Sequence, residues 1–185
     1  MFCAGGSLDD LLRRDQPPSA AYAGFLALAE APVPTIAAVT GAAIGAGVNL
    51  PLACDVVIAG ESARFDPRFL DVGIHPGGAH LWRLAQRVGP QGAAALVLCG
   101  DTLTGPEAVT HGLAWRCVPD DEVRAVAVRL ARQAADRSPR AGPADQGDPA
   151  RDDRAAGADQ VPMTARFPRR GLVAAREPQI KHSFG

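Results

Sequence analysis

The chain has 185 residues, enough for one domain with its own core or for a piece of a slightly larger one. A net charge of −1 and an isoelectric point near 6.4 remove any electrostatic reason to expect a nucleic-acid partner. No charged-then-apolar leader and no apolar run of membrane-spanning length stands out, so a soluble, cytoplasmic protein without a membrane partner is expected.

In chain order, "MFCAGGSL" reads as a strand running into a glycine turn, without an upstream strand to pair with it. Residues 20–30, "AAYAGFLALAE", read as a helix that the prolines of "APVPT" end. Residues 35–39 form an unbroken apolar run and read as a buried strand. Then comes "TGAAIGAGVNL", in which Thr40 is followed by three glycines and apolar residues around one amide side chain, Asn49. Residues 45–54 read as a short helix starting at those glycines, followed by a strand over 55–59. A turn at 60–62 leads into an extended, irregular stretch over 63–75. "GGAHLWRLAQRVG" and "PQGAAALVLCG" predict two helices, each closed by a glycine. "TGPEAVTHGLAWRCV" carries a threonine cap, a proline in the first turn, a brief helix, a glycine stop and a strand. "DDEVRAVAVRLARQAA" is an amphipathic helix with acidic residues at its start. Strands alternating with helices argue for an α/β layered domain.

The character changes after about Pro139. From Ala141 to Gln160 there is no Leu, Ile, Val, Phe, Met or aromatic residue. A segment so poor in apolar side chains does not offset its ordering entropy. Residues 1–139 are therefore assigned to the core, and 140–185 to an irregular, disordered tail; a reading-frame slip is a sharper explanation of that tail. The four cysteines, Cys3, Cys54, Cys99 and Cys117, are far apart and three lie in apolar runs. They read as buried free thiols, not as a disulfide framework or a metal site.

Dense glycines in an apolar setting mean that a backbone comes close to something. A strand, a glycine turn and a helix start offer unpaired N–H groups at the positive end of a helix dipole. A phosphate cradle is one reading, but "GAAIGAG" lacks the Gly-Lys-Ser/Thr ending of a P-loop. An oxyanion hole is another; it needs two donors from separate segments, and "CAGGSL" is a second source. A third reading is glycines that simply allow close packing.

"FCAGGSL", "PVPTIAAVTGAAIGAGVNLPLACDVVIAGESARF", "VGIHPGG" and "LCGDTLTGPEAVTHGLAWRCVP" together resemble consecutive blocks of the crotonase superfamily, the enoyl-CoA hydratase/isomerase family. The resemblance runs from Phe2 to about Ala135 and rests on the order and spacing of the blocks. It implies an α/β crotonase-like ββα superhelix, here incomplete at the N-terminus, and a homotrimer or hexamer. It also implies an acyl-CoA thioester as partner, with coenzyme A as part of the substrate and no separate cofactor. The oxyanion donors carried over are the backbone N–H groups of Gly6 and Ala46, with Ala4, Gly45, Gly47, Phe69 and Gly77 as substrate-binding positions.

The resemblance places the two family glutamates at Asn49 and Phe69. Neither side chain carries a proton to exchange near neutral pH. Asp71 and His75 are the candidate substitutes, Asp71 because it shares a face with Phe69 if the segment is extended. Asn49 would then orient water or substrate. Asp71 as a loop cap and His75 as a turn residue are the plainer readings. Asp66 is a weaker candidate in an expected surface loop. His80 and His111 read as structural, and Trp82 as core or acyl-pocket lining. Arg13 and Arg14 either pair with coenzyme A phosphates or end a solvated helix. A hydratase or isomerase of fatty-acid metabolism is the leading expectation. A non-catalytic acyl-CoA-binding protein and a non-functional gene fragment are the rivals.

Overall fold

The computed structural model describes residues 1–6 and 18–137. The expected disordered tail over 140–185 and the candidates Arg13 and Arg14 lie outside the described residues. Helix α1 spans Pro18–Ala29. Strands β1 (Ile36–Val39) and β2 (Ala42–Ile44) follow, then a 3₁₀ turn over Gly45–Val48 and helix α2 over Asn49–Ala53. Next come β3 (Val56–Gly60), β4 (Arg64–Asp66) and a second 3₁₀ turn over Leu70–Val72. Helix α3 runs over His80–Leu98, with β5 (Leu103–Thr104), α4 (Gly105–Thr110), β6 (Arg116–Val118) and α5 (Val123–Arg137) completing the order.

The strands divide into two three-stranded sheets, β1-β3-β6 and β2-β4-β5. The first is parallel throughout, with Ile36 opposite Val56 and Ile58 opposite Arg116. In the second, β2 and β4 are parallel and β4 and β5 antiparallel. Consecutive strands β1 and β2 thus enter different sheets, and so do β3 and β4. Gly41, at φ +71, and the turn at Glu61–Ser62 make those switches. This β2 was not expected from the sequence, because its three residues are Ala-Ala-Ile between glycines and carry no alternation.

The largest core cluster contains Val39, Phe65, Leu84, Leu96 and Leu113, joining both sheets to α3. Helix α5 covers the other face of the first sheet with Val123, Val126, Ala127 and Ala131 against Ile36 and Ile58. Its apolar stripe was legible as an amphipathic helix. A third, smaller cluster sets Phe25 and Ala29 of α1 on Ala53 of α2. The two helices expected on either side of Gly89 are continuous in hydrogen bonding but kinked, since Gly89 is non-helical at φ 73, ψ 167 and Pro90 follows it.

Polar contacts tie the strand ends. The Thr35 N–H and hydroxyl both donate to the Asp55 carboxylate at 2.8 Å, which locks the start of β1 to the start of β3. Arg87 of α3 donates to the carbonyls of Cys54 and Asp55, just past the end of α2. At α4, the Glu107 carboxylate accepts from the Thr104 N–H at 2.8 Å and from its hydroxyl at 2.7 Å, and these bonds hold its pKa below the usual value. All four cysteines are free, but only Cys54 is buried; Cys99 is exposed, contrary to expectation. Burial pushes the Cys54 thiol up to about 12, so it stays protonated and inert.

Phe65 is fully buried at the centre of β4, between β2 and β5. Phe65→Ala is expected to cost about 3–5 kcal/mol of stability, read as a lower denaturation midpoint in urea. A cost under about 1 kcal/mol would mean that β4 does not organise this core.

Candidate functional site

Two backbone segments converge in front of the second sheet. Cys3 forms a parallel bridge with Ala43. The N–H groups of Phe2 and Cys3 donate to the Ala42 carbonyl at 2.9 and 3.1 Å, and the Ile44 N–H donates back to Cys3 at 2.9 Å. Just beyond, Gly5 has φ +82, and a Cβ added there would stand 2.6 Å from the Ile44 carbonyl oxygen and 3.1 Å from the Ala46 nitrogen. Gly47 faces the other way, and a Cβ on it would stand 2.4 Å from the Cys3 carbonyl oxygen. Each glycine therefore fills a gap that no other residue fits. The interlock sets Gly5 against the Ala46 nitrogen, and Gly6 is next in chain.

Ala46 lies in the 3₁₀ turn Gly45–Val48, and N–H groups in a first helical turn have no acceptor within the helix. Ala4 is exposed, while Gly45, at φ +53, has open space where a Cβ would point. Gly5 and Gly47 let two backbone segments approach closely, and Gly45 has open space on its Cβ side.

Asn49 follows at the start of α2, and its N–H donates to the Ala46 carbonyl. Its side chain is fully buried, and Oδ1 lies 2.8 Å from Nδ1 of His80, which is also fully buried. Burial alone lowers the His80 pKa to about 4, so the imidazole is neutral at neutral pH. An amide oxygen only accepts, so the single imidazole proton sits on Nδ1, and Nε2 keeps a bare lone pair. That Nε2 and the Asn49 Nδ2 are both buried without a hydrogen-bond partner among the described residues. The Phe69 ring meets His80 edge to face, with centroids 4.8 Å apart.

His80 opens α3, and the residue before it, Ala79, has φ 57. A left-handed alanine is strained, and here the strain sits at the turn that swings His80 inward. Gly77 and Gly78 precede it and pack on α1: a Cβ on Gly77 would stand 2.1 Å from the Tyr22 hydroxyl, and one on Gly78 2.2 Å from Phe25. The Gly77 backbone therefore lies against an aromatic side chain of the protein itself.

The structure places the remaining candidates differently from expectation. The segment after Phe69 is not extended; Leu70–Val72 is a 3₁₀ turn that ends on Gly73 at φ 68. Phe69 therefore points inward while Asp71 is exposed, and the premise that they share a face does not hold. His75 is exposed as well. Asp66 is not in a surface loop. It is buried at the end of β4, with Arg68 paired to its carboxylate and Arg64 3.8 Å away. Trp82 is 52% exposed, so it is not core, and His111 is an exposed residue at the end of α4.

His80 was read as structural, and its pairing with Asn49 was missed. The available signal was its i, i+4 spacing from Leu84, which put both on the inward face of α3; both are fully buried. Nothing local in the sequence connects position 80 to position 49. Among the described residues there is no group of three or more metal-ligating side chains, and no helix is long and apolar enough to cross a membrane.

The enoyl-CoA hydratase/isomerase family model matches residues 1–144. A probable enoyl-CoA hydratase of Mycobacterium tuberculosis, EchA14, is 49% identical over 129 residues, covering 67% of this chain and 50% of that protein. The 2,3-dehydroadipyl-CoA hydratase of Escherichia coli is 43% identical over 106 residues, covering 57% of this chain and 42% of that protein. The crystal structure of an enoyl-CoA hydratase/isomerase from Pseudoalteromonas atlantica superposes with a TM-score of 0.67 at 36% identity, covering 72% of this chain and 54% of that one. This chain spans about half the length of the curated relatives it matches. The expected crotonase-like α/β fold of short sheets and helices is borne out by these structural neighbours.

Two predictions follow the geometry. Gly47→Ala drives a methyl group into the Cys3 carbonyl, so it should cost about 1–3 kcal/mol and release the segment around Cys3 from β2. Hydrogen exchange at Ile44, whose N–H donates to Cys3, reads that release; unchanged protection would show that the interlock is not tight. The second concerns His80. The unfolded chain protonates it near pH 6.5, whereas the folded chain resists until about pH 4. Stability should be complete above about pH 6.5 and fall as the pH drops toward 4, by on the order of 3 kcal/mol in total. His80→Gln should lose that part of the slope, measured as the difference between the two proteins' unfolding free energies across the window. Parallel curves would contradict the neutral, buried imidazole.

Proposed function

The chain belongs to the enoyl-CoA hydratase/isomerase family, and we propose from this that it binds an acyl-CoA thioester whose carbonyl oxygen accepts hydrogen bonds from the N–H groups of Gly6 and Ala46. The observation that carries the proposal is the interlock of Gly5 and Gly47, which brings two amide segments together at one point. Preorganised donors of this kind stabilise the negative charge that develops on the oxygen when electrons move from the acyl chain toward the carbonyl. Ala4, Gly45 and Gly47 would line the thioester, and Phe69 and Gly77 the acyl end. Coenzyme A enters as part of the substrate and no other cofactor is called for. The assembly proposed with it is the family's homotrimer or hexamer.

The nominal reaction is hydration or isomerisation of an enoyl thioester. In hydration, a water oxygen adds to the β-carbon as the water loses a proton to a base, the double-bond pair moves toward the thioester oxygen, and the α-carbon then collects a proton as the carbonyl re-forms. Asn49 donates hydrogen bonds but takes up no proton, and Phe69 does neither. Proton transfer falls to Asp71 or His75, on the turn that follows Phe69. Each acid/base group is typically worth ~10²–10⁴ in rate, so turnover should be several orders of magnitude below that of a two-carboxylate site.

A second reading is binding of the thioester without turnover. The exposure of both Asp71 and His75, against the full burial of Asn49, favours it.

Calorimetric titration with butanoyl-CoA tests the first claim. Binding is expected, and Gly6→Pro, which deletes one N–H, should weaken it at least tenfold, the effect of about 1.4 kcal/mol. Equal affinity in the variant would remove Gly6 as a donor. Crotonyl-CoA hydration separates the two readings: slow turnover that falls further in Asp71→Asn or His75→Ala supports the enzyme. Turnover that neither substitution changes would remove both from the chemistry.

A further inference from the structure

Three parallel segments end at one edge of the second sheet. Cys3 runs parallel to Ala43, and β2 runs parallel to β4 with Ile44 opposite Asp66. The turn that carries Ala46 follows Ile44 directly, so Asp66 stands one strand away, about 4.8 Å, from the residue leading into that turn. The carboxyl ends of parallel strands are where such sheets gather their ligands. Asp66 belongs there to a charge cluster that the thioester reading leaves unused. Arg64 and Asp66 lie two apart on β4 and share the face opposite Phe65. The Arg68 Nη2 donates to the Asp66 Oδ2, and the Arg64 Nε lies 3.8 Å from the same oxygen. Exposure divides the three sharply: the Asp66 side chain is 7% exposed, that of Arg64 56% and that of Arg68 47%. One buried oxygen thus anchors two guanidinium groups whose outer N–H groups stay in solvent. A single arginine neutralises a buried carboxylate, so the second leaves one positive charge over. Asp71, exposed on the next turn, forms no ion pair among the described residues. Its charge only adds to the Asp66 hydrogen bond and charge in raising the Arg68 pKa.

We propose that Arg64 and Arg68, anchored by Asp66, form a fork for a second carboxylate, the one at the far end of a dicarboxylic acyl thioester. The inference rests on the thioester reading above and adds the substrate class. A guanidinium presents five N–H donors in a rigid plane, and each arginine spends only one edge of that plane on Asp66. The remaining donors match a carboxylate, with charge-assisted bonds that an apolar chain end does not make. Anchoring matters because a free arginine loses rotamer freedom when it grips a ligand, and the Asp66 oxygen has already restricted both. A phosphate has the same chemistry, but position favours the acyl carboxylate. Arg68 immediately precedes Phe69, which the thioester reading puts at the acyl end, and β4 ends beside the strand that leads to Ala46. The phosphates of coenzyme A lie a whole pantetheine arm from the thioester carbon, on the side away from the acyl chain. No enclosed cavity is needed, because both arginine arms are open to solvent and a carboxylate end of the chain stays partly hydrated. Arg64 and Arg68 are thereby specificity-determining residues, and Asp66 is the positioning residue behind them.

Calorimetric affinities of the full 185-residue chain for glutaryl-CoA and adipoyl-CoA, each against pentanoyl-CoA and hexanoyl-CoA of the same length, test this. At least one dicarboxylic compound is expected to bind about tenfold more tightly than its monocarboxylic match. In Arg64→Ala that ratio should fall toward one, and in the wild type it should shrink as sodium chloride rises. An arginine that merely stabilises the sheet end would weaken both members of a pair alike and leave the ratio where it was. Should Arg64→Ala not fold, the wild-type ratio and its salt dependence decide alone. Equal affinity within both pairs overturns this inference and leaves the thioester reading intact. Equal affinity within the pairs, with Arg64→Ala weakening every compound by the same factor, also overturns it and assigns the arginines to a coenzyme A phosphate. Binding of none of the four overturns both readings.

Discussion

The close approach of the N-terminal segment around Cys3 to the turn after β2 is the constraint on which the site depends. It is made by backbone atoms on both sides. Gly5 stands where a Cβ would press on the Ile44 carbonyl and the Ala46 nitrogen, and Gly47 stands where one would press on the Cys3 carbonyl. Side chains adjust to a bad contact by changing rotamer; backbone in a hydrogen-bonded bridge does not. The three hydrogen bonds between Phe2–Cys3 and Ala42–Ile44 hold the register, and the glycines let the chains continue past each other at that register. Everything downstream inherits this position: the 3₁₀ turn, the start of α2, and through Asn49 the buried end of α3.

Much of this was legible in the sequence because the determinants are local. Glycine density at 41, 45 and 47, the proline that begins the second half of α3, and the amphipathic stripe of α5 each signal their structure within a few residues. Strands β2, β4 and β5 were harder. They are two or three residues long, too short for a period, and they exist because neighbouring strands supply the pairing. The site divides the same way. The glycine turns could be found from composition and order, and the family resemblance rested on them. Asp71 was misplaced relative to Phe69 because one 3₁₀ turn after Phe69 turns its side chain to the solvent side. The Asn49–His80 contact spans 31 residues and depends on a left-handed Ala79, neither of which has a sequence signature.

Asn49, Phe69 and His80 belong together physically. They come from three separate elements, yet each makes sense only with the others. Asn49 needs a donor for its buried oxygen and finds the His80 Nδ1 proton. His80 needs a neutral, enclosed environment to keep that proton there, and the edge-on Phe69 ring is part of it. A carboxylate at position 49 beside a buried imidazole would draw a proton onto the ring and leave an ion pair in the core, which is costly to desolvate. A second carboxylate at position 69 would add a like charge to the same enclosure. The amide, the phenyl ring and the imidazole are thus one compatible set of neutral groups, whereas either carboxylate would conflict with His80.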